Sequence, residues 1–343
     1  MDSKNHQPPE PIVIYRIGSL GDTIVALPIF NAIRLAFPFS KRILLTNDPI
    51  SELAPASSQV LLGGDFINDT IYYKIGTRSV VSLFSLYRQL RTIRSRTIIY
   101  IGGGRGLISA WRDWLFFRAC GFSNIIGAPL TASLECLQLA PGSHVYEREA
   151  QRLARCLASL GPIDLLASAA WDLHLTSSEV DTALQVIGPL RKTPFLAINV
   201  GGKVIKNDWG ELNWTTMLRQ LTAHTALPLV FVGGPADRAR CERLSSVWLG
   251  DTLNLCGTLT PRESFAVLKY AKLFVGHDSG PLHLAAAAGA PTIGLFGDNN
   301  PPAKWHPLGP HHRAIHNMQG VSAISTVEVS LAVLSALTLP EQS

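Results

Sequence analysis

Cysteine is scarce and irregularly placed. Cys120, Cys136, Cys156, Cys241 and Cys256 are the five in 343 residues, an odd number with no CxxC spacing. That excludes a disulfide framework and a zinc ribbon, and it fits reduced, buried thiols. Charge is sparse too, at 16% of residues against 47% hydrophobic, which excludes a disordered chain. No apolar stretch approaches the roughly 18 uncharged residues of a membrane span. Residues 1–11 are polar and lack the apolar core of a signal peptide, so they read as a flexible tail and the expected location is cytoplasmic. A G-x-G-x-x-G turn is also missing, which argues against a dinucleotide-dependent dehydrogenase. The basic residues exceed the acidic ones by five but are scattered and match no nucleic-acid motif. An anionic ligand or an anionic membrane surface suits that balance better than nucleic acid.

What is present is a repeated alternation of short apolar runs with helical patterns. In the first half, residues 12–17, 42–46, 70–73, 97–101 and 124–127 read as strands rich in Ile, Leu and Tyr. In the second half the strand pattern falls at 195–200, 229–232, 252–255, 273–275 and 292–296. Alternating β and α units imply a parallel sheet covered on both faces, and this length suits about two such domains. Pro, Ser and the break Gly188-Pro189 place the inter-domain connection at 166–193. The expected layout is therefore an α/β pair of Rossmann-like domains at 12–165 and 194–321, facing a central cleft. A C-terminal helix and tail follow at 322–343. Ligands in such sheets bind at the strand C-termini.

Two turns stand at predicted strand ends. The first is Arg16-Ile-Gly-Ser-Leu-Gly-Asp22, followed by a helical pattern in which Pro28 should bend or restart the helix. Asp22 reads either as a helix N-cap or as a carboxylate that takes a proton from an incoming hydroxyl. The second is Gly276-His-Asp278-Ser279-Gly280-Pro281-Leu-His283, which opens an alanine-rich helix closed by Gly289. Ser279 or Gly280 is positioned to cap that helix, and its bare N–H groups suit a phosphate. Any tight βα turn would share this composition.

Together these stretches resemble glycosyltransferase family 9, the heptosyltransferase family. The resemblance rests on three ordered blocks between Ile12 and Gly309. These are Arg16–Pro28, Gly201-Gly-Lys203-Val-Ile-Lys206-Asn-Asp-Trp209 with Trp214, and Asp278–Thr292 with Leu-Phe-Gly-Asp298-Asn-Asn-Pro and Trp-His-Pro-Leu-Gly. It implies a GT-B fold, with the acceptor on the N-terminal domain and a sugar nucleotide on the C-terminal one. The implied reaction is inverting transfer of heptose from ADP-heptose to a lipopolysaccharide core, with Asp22 as general base. Ser19, Gly21 and Arg105 would then meet an anionic glycolipid acceptor. Lys203 or Lys206, Asp278, Ser279, Gly280, Pro281, His283 and Asp298 would meet the donor. The commoner family pattern has a lysine where Asn207 stands; the Gly-Gly-Lys203 arrangement resembles another variant of that block and favours Lys203 over Lys206.

No cofactor or metal is expected, since His277, Asp278 and His283 match no zinc spacing. From the residues alone, His283 reads first as a packed histidine, and Arg105 first as part of a flexible βα loop. Trp111, Trp114, Leu115, Phe116 and Phe117 lie beside Arg112 and Arg118, a composition that suits either a lipid–water interface or a core with a basic rim. Two other functional classes stay in view. One is a GT-B sugar-nucleotide epimerase or hydrolase, which would need further acidic or basic residues in the cleft. The other is a sugar-nucleotide-binding module without turnover.

Overall fold

The computed structural model describes residues 9–48, 56–77, 79–139, 142, 144–202 and 204–338. Lys203, the first eight residues of the N-terminal tail, residues 49–55 and the last five residues of the C-terminal tail lie outside them.

Two parallel sheets form. The first holds β1 (Ile12–Arg16), β2 (Arg42–Asn47), β3 (Asp69–Tyr73), β4 (Thr97–Ile101) and β5 (Asn124–Ile126) in the order β3-β2-β1-β4-β5. The second holds β6 (Phe195–Asn199), β7 (Leu229–Phe231), β8 (Thr252–Asn254), β9 (Ala271–His277), β10 (Thr292–Phe296) and β11 (His312–His316) in the order β11-β10-β9-β6-β7-β8. β1 is buried along its whole length. Ile12 and Ile14 join one core cluster while Val13 and Tyr15 join another, because successive side chains point to opposite faces. Strand order reverses between β1 and β4 and again between β9 and β6. Ligand crevices of open parallel sheets form at such reversals. The turns after β1, β4, β6 and β9 all stand there.

Several expectations change in detail. β9 runs on to His277, since Gly276 and His277 still pair with Gly294 and Leu295 of β10, so the polar turn shrinks to Asp278 and Ser279. β11 was not expected at all. Within the connection at 166–193 lies a full helix, Ser177–Ile187, started by a capping box at Thr176 and Glu179. The helical pattern after Asp22 does restart at Pro28, giving Leu20–Val25 and then Leu27–Ala36. The C-terminal helix Thr326–Thr338 packs Val329, Ala332 and Val333 into the core of the second sheet.

The two domains meet along helices Leu20–Val25 and Gly280–Ala287. A Cβ added to Gly280 would lie 2.7 Å from the Leu20 side chain, and one added to Gly21 would lie 3.1 Å from His283. Glycine at both places is what lets these helix starts touch. At the other side of the seam Arg262, itself buried, donates to both carboxylate oxygens of Glu179 and to the carbonyls of Val60, Leu173 and His174. Asn31 of the first domain holds the same segment through the carbonyls of Ala170 and Asp172 and through His174 Nε2.

Candidate active site

Asp22 sits in the first turn of its helix rather than at the N-cap, which is Ser19. Its Oδ2 accepts from the Ser19 backbone N–H at 2.7 Å and from the Ser19 hydroxyl at 2.8 Å. Among the described residues nothing bonds to Oδ1. Arg16, buried at the end of β1, donates to the Asp22 and Ile101 carbonyls. Burial raises the carboxyl pKa, but Arg16 and the Ser19 bonds outweigh it and hold Asp22 below the usual carboxylate range. Asp22 is ionised at neutral pH. The Ser19 hydroxyl is spent on that carboxylate, and Gly21 packs against Gly280 and His283.

Asp22 lines a cleft pocket of about 170 Å³ with Tyr15, Arg16, Ile17, Glu149 and the loop Gly102–Arg105. Two more walls come from the second domain, Lys304 and Trp305. Gly103 (φ +145°) must be glycine, because any Cβ would run into the Arg152 guanidinium that holds the Gly102 carbonyl. Arg105 is fixed rather than flexible: its Nη2 donates to Asp113 Oδ2 at 2.7 Å and to the hydroxyls of Tyr100 and Tyr15. A second cavity of about 300 Å³ lies beyond Lys304 and Trp305, against Trp171, Leu166 and Pro307.

Across the seam, the turn after β9 is held by side chains from neighbouring loops. Asn207 donates to the Asp278 carbonyl at 3.2 Å and accepts from Asn299, while Asn300 reaches Asp278 Oδ2 at 3.4 Å. The position where the family's commoner lysine would stand is thus a buried crosslink between three loops. Ser279 is the N-cap residue, but its hydroxyl bonds Asn199 Oδ1 instead of capping the helix. The helix start is left without a side-chain cap, and its first backbone N–H is that of Gly280, since Pro281 carries none. Lys206 and Asp298 pair with each other at 3.4 Å, with Lys206 largely exposed. His283 is buried, 3.6 Å from Asp278, with its ring edge toward Trp305. His277 is fully buried and accepts from the Trp209 N–H, and burial lowers its pKa to about 4. Among the described residues no group of three or more His, Cys, Asp or Glu side chains gathers as a metal site would require.

Arg16, Asn199, Lys304 and Trp305 belong to the site without having been singled out. Arg16 and Trp305 stand inside the quoted blocks, but only the fold shows what they touch.

The chain resembles known proteins over most of its length. The crystal structure of a glycosyl transferase family 9 protein from Veillonella parvula superposes with a TM-score of 0.68 at 19% identity, covering 96% of this chain and 97% of that one. E. coli heptosyltransferase WaaC with ADP gives 0.65 at 16% identity, covering 95% and 99%. These likenesses establish the GT-B arrangement of two Rossmann-like domains. In sequence, the lipopolysaccharide core heptosyltransferase OpsX of Haemophilus influenzae is 26% identical over 137 residues, which is 39% of this chain and 39% of that relative. The family model for glycosyltransferase family 9 (heptosyltransferase) matches residues 137–330, more than half of the sequence. With the three ordered blocks and the two-sheet cleft, the chain belongs to glycosyltransferase family 9, the heptosyltransferase family.

Proposed function

We propose that this protein is an inverting glycosyltransferase that moves heptose from ADP-heptose onto a lipopolysaccharide core or a related surface glycan. The observation that carries this reading is Asp22: an ionised carboxylate in the inter-domain pocket, on the helix that touches the Ser279–Pro281 turn. An acceptor hydroxyl beside Asp22 would give its proton to the carboxylate as its oxygen bonds to the anomeric carbon. The glycosidic bond to the nucleoside diphosphate breaks on the opposite face, so the configuration inverts. A carboxylate with a depressed pKa is a weak base, and positioning must therefore supply much of the rate enhancement.

Charge builds on the leaving diphosphate. The uncapped helix start at Ser279–Pro281 offers N–H donors for it, with Lys203 or Lys206 as the cation. Lys206 is reachable, since its present partner Asp298 is a surface carboxylate. Asp278 and Asp298, with their asparagine neighbours, are suited to sugar hydroxyls. Neither a metal nor an organic cofactor has a part in this scheme. Two relatives support this reading: WaaC was solved with ADP, and OpsX is named a lipopolysaccharide core heptosyltransferase.

The test is Asp22→Asn. Transfer falls by about 10²–10⁴-fold, as for loss of a general base, while ADP affinity by calorimetry stays within about twofold. Equal turnover by the variant would refute the base role. Titrating the wild type with ADP, UDP and GDP checks the donor, and a preference for UDP or GDP would discard ADP-heptose.

A membrane-bound acceptor needs a docking face. Val80, Val81 and Phe84 on helix Val80–Thr92 and Ile108, Trp111 and Leu115 on helix Leu107–Ala119 are exposed. Both helices pack on one face of the first sheet through Leu86, Leu90 and Phe117. Arg88, Arg112 and Arg118 are exposed beside them, a composition that suits an anionic bilayer. Vesicles containing anionic lipid should retain the protein at low salt and release it at high salt; no retention at low salt would refute membrane contact.

A further inference from the structure

We infer that Arg152 is a positioning residue of the transfer reaction: it fixes both ends of the glycine loop that walls the Asp22 pocket, and its own helix fixes a second wall. The inference rests on the glycosyl-transfer reading and names the residue that shapes the site for it.

The loop needs an external tie. Gly102, Gly103 and Gly104 follow β4 in succession, and Gly103, Gly104 and Gly106 have positive φ. Glycine loses more backbone freedom on being fixed than any other residue, and it has no side chain to anchor it. The Arg152 guanidinium lies against this backbone, so that a Cβ on Gly103 would collide with its Nη2, Nη1 and Cζ atoms.

All five N–H groups of Arg152 are spent. Nε and Nη2 meet the two oxygens of Glu149 at 3.0 and 2.6 Å. Nη2 also reaches the Gly102 carbonyl at 3.0 Å, which fixes the start of the loop. Nη1 reaches Cys156 Sγ at 3.6 Å and the Leu134 carbonyl at 3.0 Å. The residue after Leu134 is Glu135, whose Oε1 accepts from the Gly106 N–H at 2.6 Å and fixes the loop's end.

The same helical turn reaches the second domain. Glu149 opens helix Glu149–Cys156 and donates its backbone N–H to the Lys304 carbonyl at 2.8 Å. Lys304 and Trp305 line the Asp22 pocket together with Gly102–Arg105. One turn, from Glu149 to Arg152, therefore holds a wall from each domain.

Stability alone does not account for this pair. The side chains of Arg152 and Glu149 are 1% and 8% exposed. Taking two charges out of water costs about as much as their attraction returns, and apolar replacement of such a pair is often neutral or stabilising. Apolar side chains would leave the Gly102 and Leu134 carbonyls without this donor. The shape of the glycine loop is what the guanidinium adds.

Three variants of the full chain test this: Arg152→Lys, Arg152→Met, and Arg152→Met combined with Glu149→Gln. Lysine keeps a charge beside Glu149, which preserves the fold, but cannot span the partners of a guanidinium. In Arg152→Lys and in the double variant, hydrogen exchange of the peptide covering residues 102–106 speeds up at least about tenfold, while β1 and β4 exchange as in the wild type. Heptose transfer from ADP-heptose to a lipopolysaccharide core loses about 10–100-fold in kcat, and ADP affinity by calorimetry stays within about twofold. The double variant leaves no buried charge unpaired, so its denaturation midpoint rises above that of Arg152→Met while its kcat stays low. The proposal fails if the loop exchanges no faster in Arg152→Lys, or if that variant turns over like the wild type. It fails too if ADP affinity falls along with kcat, or if kcat of the double variant recovers with the midpoint, which would make the pair a matter of stability alone. A wild type that moves no heptose from ADP-heptose would instead overturn the transferase reading, while loop exchange still decides whether Arg152 holds the loop.

Discussion

At the scale of single residues, the proposed mechanism rests on Asp22, whose neighbours set its proton affinity. Its pKa is depressed in the fold, so the ionised form is complete above the ordinary carboxylate range and is lost only as pH falls through a lower value. On the general-base reading, the acid limb of kcat therefore lies below the ordinary carboxylate range. Ser19→Ala removes the hydroxyl bond to Oδ2 and moves that limb upward. A pH–rate profile of the two proteins checks this; an unmoved limb would assign it to another group. The Ser-x-x-Asp spacing was visible in the sequence, and such spacing marks a reciprocal helix start. Nothing in the sequence showed Arg16 turning back to the Asp22 carbonyl, because that contact depends on how β1 is buried. Lys304 was hidden for a similar reason. It lies between a loop and Trp305, and it meets Gly104 only once two distant domains close.

The elements were far more legible. Ten strands follow apolar runs in the sequence, two with the expected ends and the others with ends that differ by no more than two residues. β11 escaped because His312-Arg-Ala-Ile-His316 contains one fully buried residue, Ile315, and stands at a sheet edge. An edge strand needs no apolar run, so its pattern resembles a loop. The glycines of the two turns invited a ligand-approach reading, and the structure gives Gly21 and Gly280 a packing role between helices. Gly280→Ala should consequently overpack against Leu20 and cost about 1–3 kcal/mol. The denaturation midpoint measures this loss. A neutral result would mean that the helix starts separate freely.

Across the whole molecule, three histidines, one buried and two half-buried, couple stability to pH. His277, His306 and His312 are each lowered to about 4, by burial first, with neighbouring cations or histidines adding to it for the latter two. The unfolded chain titrates them near 6.5, so between 6.5 and 4 it binds more protons than the native state. Stability contributed by these groups is full above pH 6.5 and falls as pH drops to about 4. Denaturant midpoints measured from pH 7.5 down to 5 should show that decline, flat at the top and steepening below. A midpoint constant to pH 5 would refute the lowered pKa values of all three.

Arg262 has a mechanical consequence. Its guanidinium grips Leu173 and His174, while Asn31 grips the same few residues from the first domain. This corner belongs to both halves at once and resists sliding. If the cleft opens, this corner is its pivot, with the lips of the cleft describing an arc about Leu173–His174.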